Sequence, residues 1–234
     1  DQKRFDLIEK KHGYYASWAV WADEGDASKS NMDDLTIFNA EHNAKLLPQL
    51  NPNIIIVGFL ASRGGVGTLE NFHGTDGHAY KIRYAFNDTP LWGAYMTDII
   101  KDFDGKAPEP GQNGMIKFLR TDEGKEFEKE NIINFREEIK DLGVDNPTII
   151  GYGDNSYSVL TRNFQNEYKI EKISSYAEWV SPEEHRKKVK EVIKKIETPG
   201  EFPIVSHSWE VLSNSIAIKH LDKSAFHHHG TGIP

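Results

Sequence analysis

The stretch Asn53-Ile54-Ile55-Ile56-Val57-Gly58-Phe59 decides the reading of this chain. An unbroken β-branched run flanked by polar residues is the size of a strand. Apolar residues at successive positions, instead of alternate ones, mean that both faces of that strand are covered. Three further runs read the same way: Ala94 to Ile100, Thr148 to Tyr152, and Phe202 to Ser206. Strands buried on both faces belong to a parallel sheet, which needs helices as crossovers.

Helical patterns lie between these runs. Asp34 to Leu50 carries Leu35, Phe38, Leu46, Leu47 and Leu50, and Thr121 to Leu142 carries Phe127, Ile132, Ile133, Phe135 and Ile139 near a 3.6-residue period. Ser181-Pro182-Glu183-Glu184 is a helix start, with a capping serine, a proline in the first turn and acids at the positive end of the dipole. The helix it opens should run to about Ile196. Alternation of strands and helices predicts an α/β fold: three layers, α/β/α, around a central, mainly parallel four-stranded sheet. Ligands of such folds bind beyond the carboxyl ends of the strands. The residues after each strand therefore carry the functional reading.

Composition bounds that reading. The chain has 234 residues, 38% of them hydrophobic, which suits one domain over residues 1–234. Purely apolar runs such as Ile54 to Val57 are far below membrane-spanning length. No secretory signal is apparent, so a cytoplasmic location is the default expectation. The absence of cysteine excludes disulfides, thiolate-bound zinc and iron–sulfur clusters. A net charge of −8 disfavours a surface coated in positive potential, but leaves room for a locally basic site.

The strand ends resemble the motifs of the uracil-DNA glycosylase superfamily. Ile54-Ile55-Ile56-Val57-Gly58-Phe59-Leu60-Ala61-Ser62 is similar to its first motif, a strand ending in Gly before an Asn-Pro or Asp-Pro turn. Asn71-Phe72-His73 resembles the segment that supplies a stacking ring. Tyr95 to Lys101 resembles the strand motif ending Thr-Asn with a lysine three residues on, and Val205-Ser206-His207-Ser208-Trp209 resembles the His-Pro-Ser motif that opens a DNA-wedging loop. The resemblance spans residues 53 to 212. It departs from the family at Leu60 and Ala61, which stand in place of the catalytic Asp or Asn and the Pro, and at Ser208, which follows His207 without an intervening Pro.

The resemblance implies a monofunctional DNA glycosylase that needs neither cofactor nor metal, acts on DNA as a monomer and hydrolyses the N-glycosidic bond of a flipped-out pyrimidine. His207 would donate to the base carbonyl as charge builds on the leaving group; otherwise it is satisfied by a neighbouring carbonyl. Asp76, within Phe72-His73-Gly74-Thr75-Asp76-Gly77-His78, would replace the carboxylate missing at Leu60. A solvated loop or a metal site are the other readings of that cluster.

Gly58, Ser62, Phe72 and Asp98 form the expected base site; otherwise Phe72 is an ordinary core aromatic and Ser62 serves the turn after the strand. Asp98 is the most informative, since an ionised Asp offers only acceptors. It accepts from the N4 amino group of cytosine and repels the O4 of uracil; alternatively it pairs with Lys101 or caps the following turn. Ser62 stands where the uracil-specific branch carries a bulky Tyr, which leaves space at C5. Together these residues suggest a C5-modified cytosine such as phage DNA carries, and hence a role in antiviral defence or repair. Ser206, Ser208 and Trp209 would touch DNA. The basic run from Arg186 to Lys195 either faces phosphates or is a solvated helix face. A protein that kept the fold and lost the chemistry is the alternative from another class, favoured by Leu60 and Ala61. For the aromatic stretch Tyr14 to Trp21, packing is the only role expected.

Overall fold

The computed structural model describes residues 2–23, 28–61, 67–75, 77–102 and 111–197. In chain order the elements are α1 (Gln2–His12), β1 (Ala16–Trp18), α2 (Asn43–Leu46), β2 (Asn51–Leu60), α3 (Tyr80–Phe86), β3 (Ala94–Ile100), α4 (Gly111–Phe118), α5 (Asp122–Leu142), β4 (Thr148–Tyr152), α6 (Asp154–Phe164), β5 (Lys169–Ile173) and α7 (Pro182–Glu197). The strands form one five-stranded mixed sheet in the order β1-β3-β2-β4-β5. Pairings from β3 through β5 are parallel, while β1 runs antiparallel to β3.

The α/β class holds, and the expectation of four mainly parallel strands is corrected to five in a mixed sheet. The runs at 53–59, 94–100 and 148–152 are β2, β3 and β4. The run at 202–206 lies outside the described residues. Two strands escaped the sequence reading. β1 is only three residues long, and β5 (Lys-Ile-Glu-Lys-Ile) lies at an edge, where one polar, half-exposed face is tolerated and no continuous apolar run is needed. The helix expected over 34–50 is broken into 3-10 turns at 36–38, 40–42 and 47–49 around the single turn of α2. Asn39 in extended conformation interrupts it, and Pro48 removes a donor at its end.

Two apolar layers enclose the sheet. Ile55, Val57 and Phe59 of β2 pack with residues of α1, α4, α5 and α6. Ile54 and Ile56 point the other way, onto α3 and α7. This alternation is the two-residue period of a strand, so helices cover both faces. The long helix α5 begins where Thr121 Oγ1 accepts from Gly124 N at 3.0 Å and ends at Gly143, whose φ of 63° closes it in left-handed conformation. Ser181 caps α7 by accepting from Glu184 N at 3.1 Å. Trp18, Ala19, Val20 and Trp21 are all buried, which accounts for most of the aromatic stretch as packing. Among the described residues no helix is long and apolar enough to cross a membrane.

Candidate functional site

Parallel pairing sets Gly58 of β2 beside Asp98 of β3 near the carboxyl ends of both strands. A methyl group at residue 58 would fall 2.1 Å from Asp98 Oδ1 and 3.1 Å from the tip of the Phe72 ring. Only glycine therefore fits there: the carboxylate and the aromatic ring occupy the space a side chain would take. Gly58, Phe72 and Asp98, expected to share a site, do meet.

Phe72 reaches this position through a strained turn. Leu69 and Phe72 both have positive φ (62° and 68°), a conformation disfavoured for bulky L-residues. The turn is clamped to the α1–β1 junction: Leu69 N donates to Gly13 O at 2.7 Å, and Ser17 Oγ donates to Leu69 O at 2.7 Å. Non-glycine residues held in such conformations need surroundings that over-determine them, and they gather at functional sites.

Asn71 is the residue that the sequence reading passed over. Its amide nitrogen donates to Tyr15 O at 2.8 Å and to Asp98 Oδ2 at 2.9 Å, so both hydrogens are used. One carboxylate oxygen of Asp98 is thereby satisfied, and Oδ1 lies above Gly58. Asp98 is 5% exposed. Burial pushes its pKa up to about 6, against the opposing pull of the Asn71 hydrogen bond and the Lys101 charge.

Lys101 does not pair with Asp98. Its ammonium is bound by Glu138 of α5, whose other oxygen accepts from Tyr95 Oη at 2.9 Å, on the opposite side of the sheet. Burial lowers the Lys101 pKa to about 7, while Asp98 and Asp102 favour its charged form.

The fourth parallel strand is β5, and the segment that leaves its carboxyl end begins Ser174-Ser175-Tyr176. Burial and the Asp98 charge push the Tyr176 hydroxyl up to about 12, so it stays a neutral phenol. Its ring packs on Tyr152 at 5.3 Å, and the Tyr152 hydroxyl meets His185 Nε2 at 2.6 Å. Buried His185 is lowered to about 4 and is neutral near pH 7. Three residues beyond Tyr176, Trp179 is 99% exposed. No apolar strand pattern precedes this segment, which is why the sequence did not point to it.

The two histidines that follow Phe72 do not converge. His73 is turned into the core, where Nε2 meets Trp18 O at 3.1 Å and burial lowers its pKa to about 4. His78 lies instead beside Tyr80 and Trp179. Among the described residues no group of three potential ligands could hold a metal ion. The basic run on α7 is partly structural, since Arg186 donates to Tyr84 O and Asn87 O at the end of α3. Ser62, Asp76, Ser206, His207, Ser208 and Trp209 lie outside the described residues. Leu60 is half-buried at the end of β2, and Ala61 is buried, its amide donating to Ile100 O at 3.1 Å.

The chain matches no protein-family model, no curated protein and no solved structure. The site's own chemistry therefore carries the functional argument.

Proposed function

We propose that this protein is a DNA glycosylase that hydrolyses the N-glycosidic bond of a flipped-out, C5-modified cytosine. The observation that carries this reading is the Asp98 carboxylate, fixed by Asn71 and aimed over Gly58 beside the Phe72 ring. With Oδ2 satisfied, Oδ1 is an acceptor, and at the 4-position cytosine presents the N4 amino donor where uracil presents a second acceptor, O4. Removing a base from the stack needs an aromatic or apolar partner. Phe72 provides one inside the site, and exposed Trp179 at the end of the fourth parallel strand offers another to DNA. His207 as donor to the base carbonyl, Asp76 as the carboxylate near the sugar, open space at Ser62, and DNA contact by Ser206, Ser208 and Trp209 complete the proposal from the resemblance. So do a cytoplasmic setting, a monomer and an antiviral or repair role.

The test uses oligonucleotides carrying uracil, cytosine or a C5-substituted cytosine, assayed for alkali-labile abasic sites. Wild type should favour the substituted cytosine above pH 6. Asp98→Asn, which supplies a donor at the same shape, should lose ~1–3 kcal/mol of that preference, the scale of one base-edge contact. Below pH 6 the protonated carboxyl also donates, so the wild-type preference should narrow. Preference for plain uracil at neutral pH, with no titration, removes Asp98 from base recognition.

A second reading rests on Leu60 and Ala61, two apolar residues at the end of β2 where a water-activating group is needed. A catalytically silent protein of this fold would bind the same oligonucleotides by gel shift and form no abasic sites.

A further inference from the structure

A separate cavity of about 630 Å³ opens on the other face of the sheet, between α4, α5 and α6. Its floor is apolar, built from the buried residues Phe59, Leu119 and Val159. Among the described residues its walls carry four cations, Arg120, Lys125, Lys129 and Arg162, and one acid, Glu128. This excess of positive charge stands on a chain whose net charge is −8. The size falls within the range of small-molecule sites, roughly 300–1,000 Å³, and an apolar floor under a few polar groups is their usual composition.

The cations divide into two kinds. Arg162 is already committed: its Nε donates to Glu128 Oε1 at 2.8 Å, its Nη2 bonds the other oxygen, and Asn163 Nδ2 adds a third bond to that carboxylate at 3.0 Å. This cluster neutralises Glu128 and makes a rigid wall. Among the described residues, Lys125 and Lys129 are paired with Asp122 and Glu126, each one helical turn earlier and exposed. Such exposed pairs are worth little and their long side chains can turn to a stronger partner. Arg120, just beyond α4, is exposed and carries a guanidinium suited to forked binding of phosphate oxygens. Lys125 and Lys129, one turn apart on α5, add point charges on the same side.

We propose that this cavity binds a small phosphomonoester with an aromatic or apolar body, of the size of a nucleoside monophosphate. Arg120, Lys125 and Lys129 hold the phosphate, the Phe59–Leu119–Val159 floor takes the body, and Asn155 and Ser158 of α6 meet its polar edge. The site is distinct from the Asp98 site, because Phe59 and Gly58 are neighbours on one strand and face opposite sides of the sheet.

The experiment is calorimetric titration of the full chain at low salt with deoxycytidine 5′-monophosphate, deoxycytidine and inorganic phosphate. The nucleotide should bind at least about tenfold more tightly than either fragment, since only it engages both floor and cations. The exposed double variant Arg120→Ala/Lys129→Ala should fold normally and lose at least about tenfold in nucleotide affinity, as expected for removing charged partners of a phosphate. The same variant should still form abasic sites on oligonucleotides as wild type does, so the two sites fail separately. Three results overturn the proposal: no nucleotide binding, equal binding of nucleotide and either fragment, or unchanged affinity in the double variant. Binding of unphosphorylated oligonucleotide that the double variant abolishes also overturns it, because the cavity would then be a general polyanion surface.

Discussion

Asp98 and Lys101 stand three residues apart at the end of β3, both nearly inaccessible to water, yet their surroundings differ in kind. On one side of the sheet, Lys101 is met by a full carboxylate, Glu138, which Tyr95 also engages. On the other, Asp98 receives one neutral amide donor from Asn71 and keeps its second oxygen over Gly58. Burying a charge is costly unless it is paired. The Lys101 side meets that requirement within the fold, as structural ion pairs do. The Asp98 side meets it with one amide donor and, among the described residues, no ion-paired side chain in contact, while burial pushes both groups toward neutrality, Asp98 up to about 6 and Lys101 down to about 7. A buried acid held by one neutral amide beside a strained turn is the better candidate for recognising something outside the protein.

The largest effect is expected at Glu138. Glu138→Ala leaves Lys101 buried without its carboxylate and Tyr95 without its acceptor. It should cost ~3–5 kcal/mol, the usual result of removing one partner from a buried pair. Urea denaturation of wild type and variant measures this. Replacing both charges, with Lys101→Met and Glu138→Leu, should recover a large part of the loss. A single-variant loss under about 1 kcal/mol would mean that water reaches Lys101, and the contrast with Asp98 would fall.

Gly58→Ala sharpens the other side. The added methyl collides with Asp98 Oδ1 and presses on Phe72, and overpacking of this kind costs ~1–3 kcal/mol. It should also abolish base selectivity, because the carboxylate must move. Asp98→Ala in the same background removes the obstacle, so a double-mutant cycle should give a favourable coupling of at least about 0.5 kcal/mol. Additive effects would place the carboxylate elsewhere.

What the sequence disclosed follows the same physics. β2, β3 and β4 were legible because strands covered on both faces must be apolar throughout, and the Gly58–Asp98 pairing sits at the ends of two of them. The N-terminal cap at Ser181 was equally plain, since capping is local. β5 was not legible, because an edge strand tolerates lysines and a glutamate, and with it went Tyr176 and Trp179. Asn71 was visible as a letter beside Phe72, yet its role depends on bonds to residues 27 and 56 positions away. The cavity above Phe59 was equally hidden: its cations come from the end of α4 and from α5 and α6, and no spacing along the chain announces that they converge.

The smallest effect separates the two buried charges by pH. Asp98 titrates near 6 in the fold, against an ordinary value of 3.8. Between those values the folded protein holds a proton that the unfolded chain has released. Stability contributed by this group is therefore greatest at low pH and falls as pH rises from about 4 to 6. Asp98→Asn cannot titrate, so the stability of the variant minus that of wild type should increase across the same window and then level off. A displacement of about two pH units sets an upper scale near 3 kcal/mol, and relaxation around the site brings the expectation to ~1–2 kcal/mol. His73 and His185, neutral in the fold with pKa values lowered to about 4, produce the opposite slope between about 4 and 6.5. They are present in both proteins and cancel in the difference. Denaturant midpoints measured at several pH values between 4 and 7.5 give that difference directly. A flat difference would mean that Asp98 is ionised at its ordinary value in the fold, and the reason for assigning recognition to its side of the sheet would be gone.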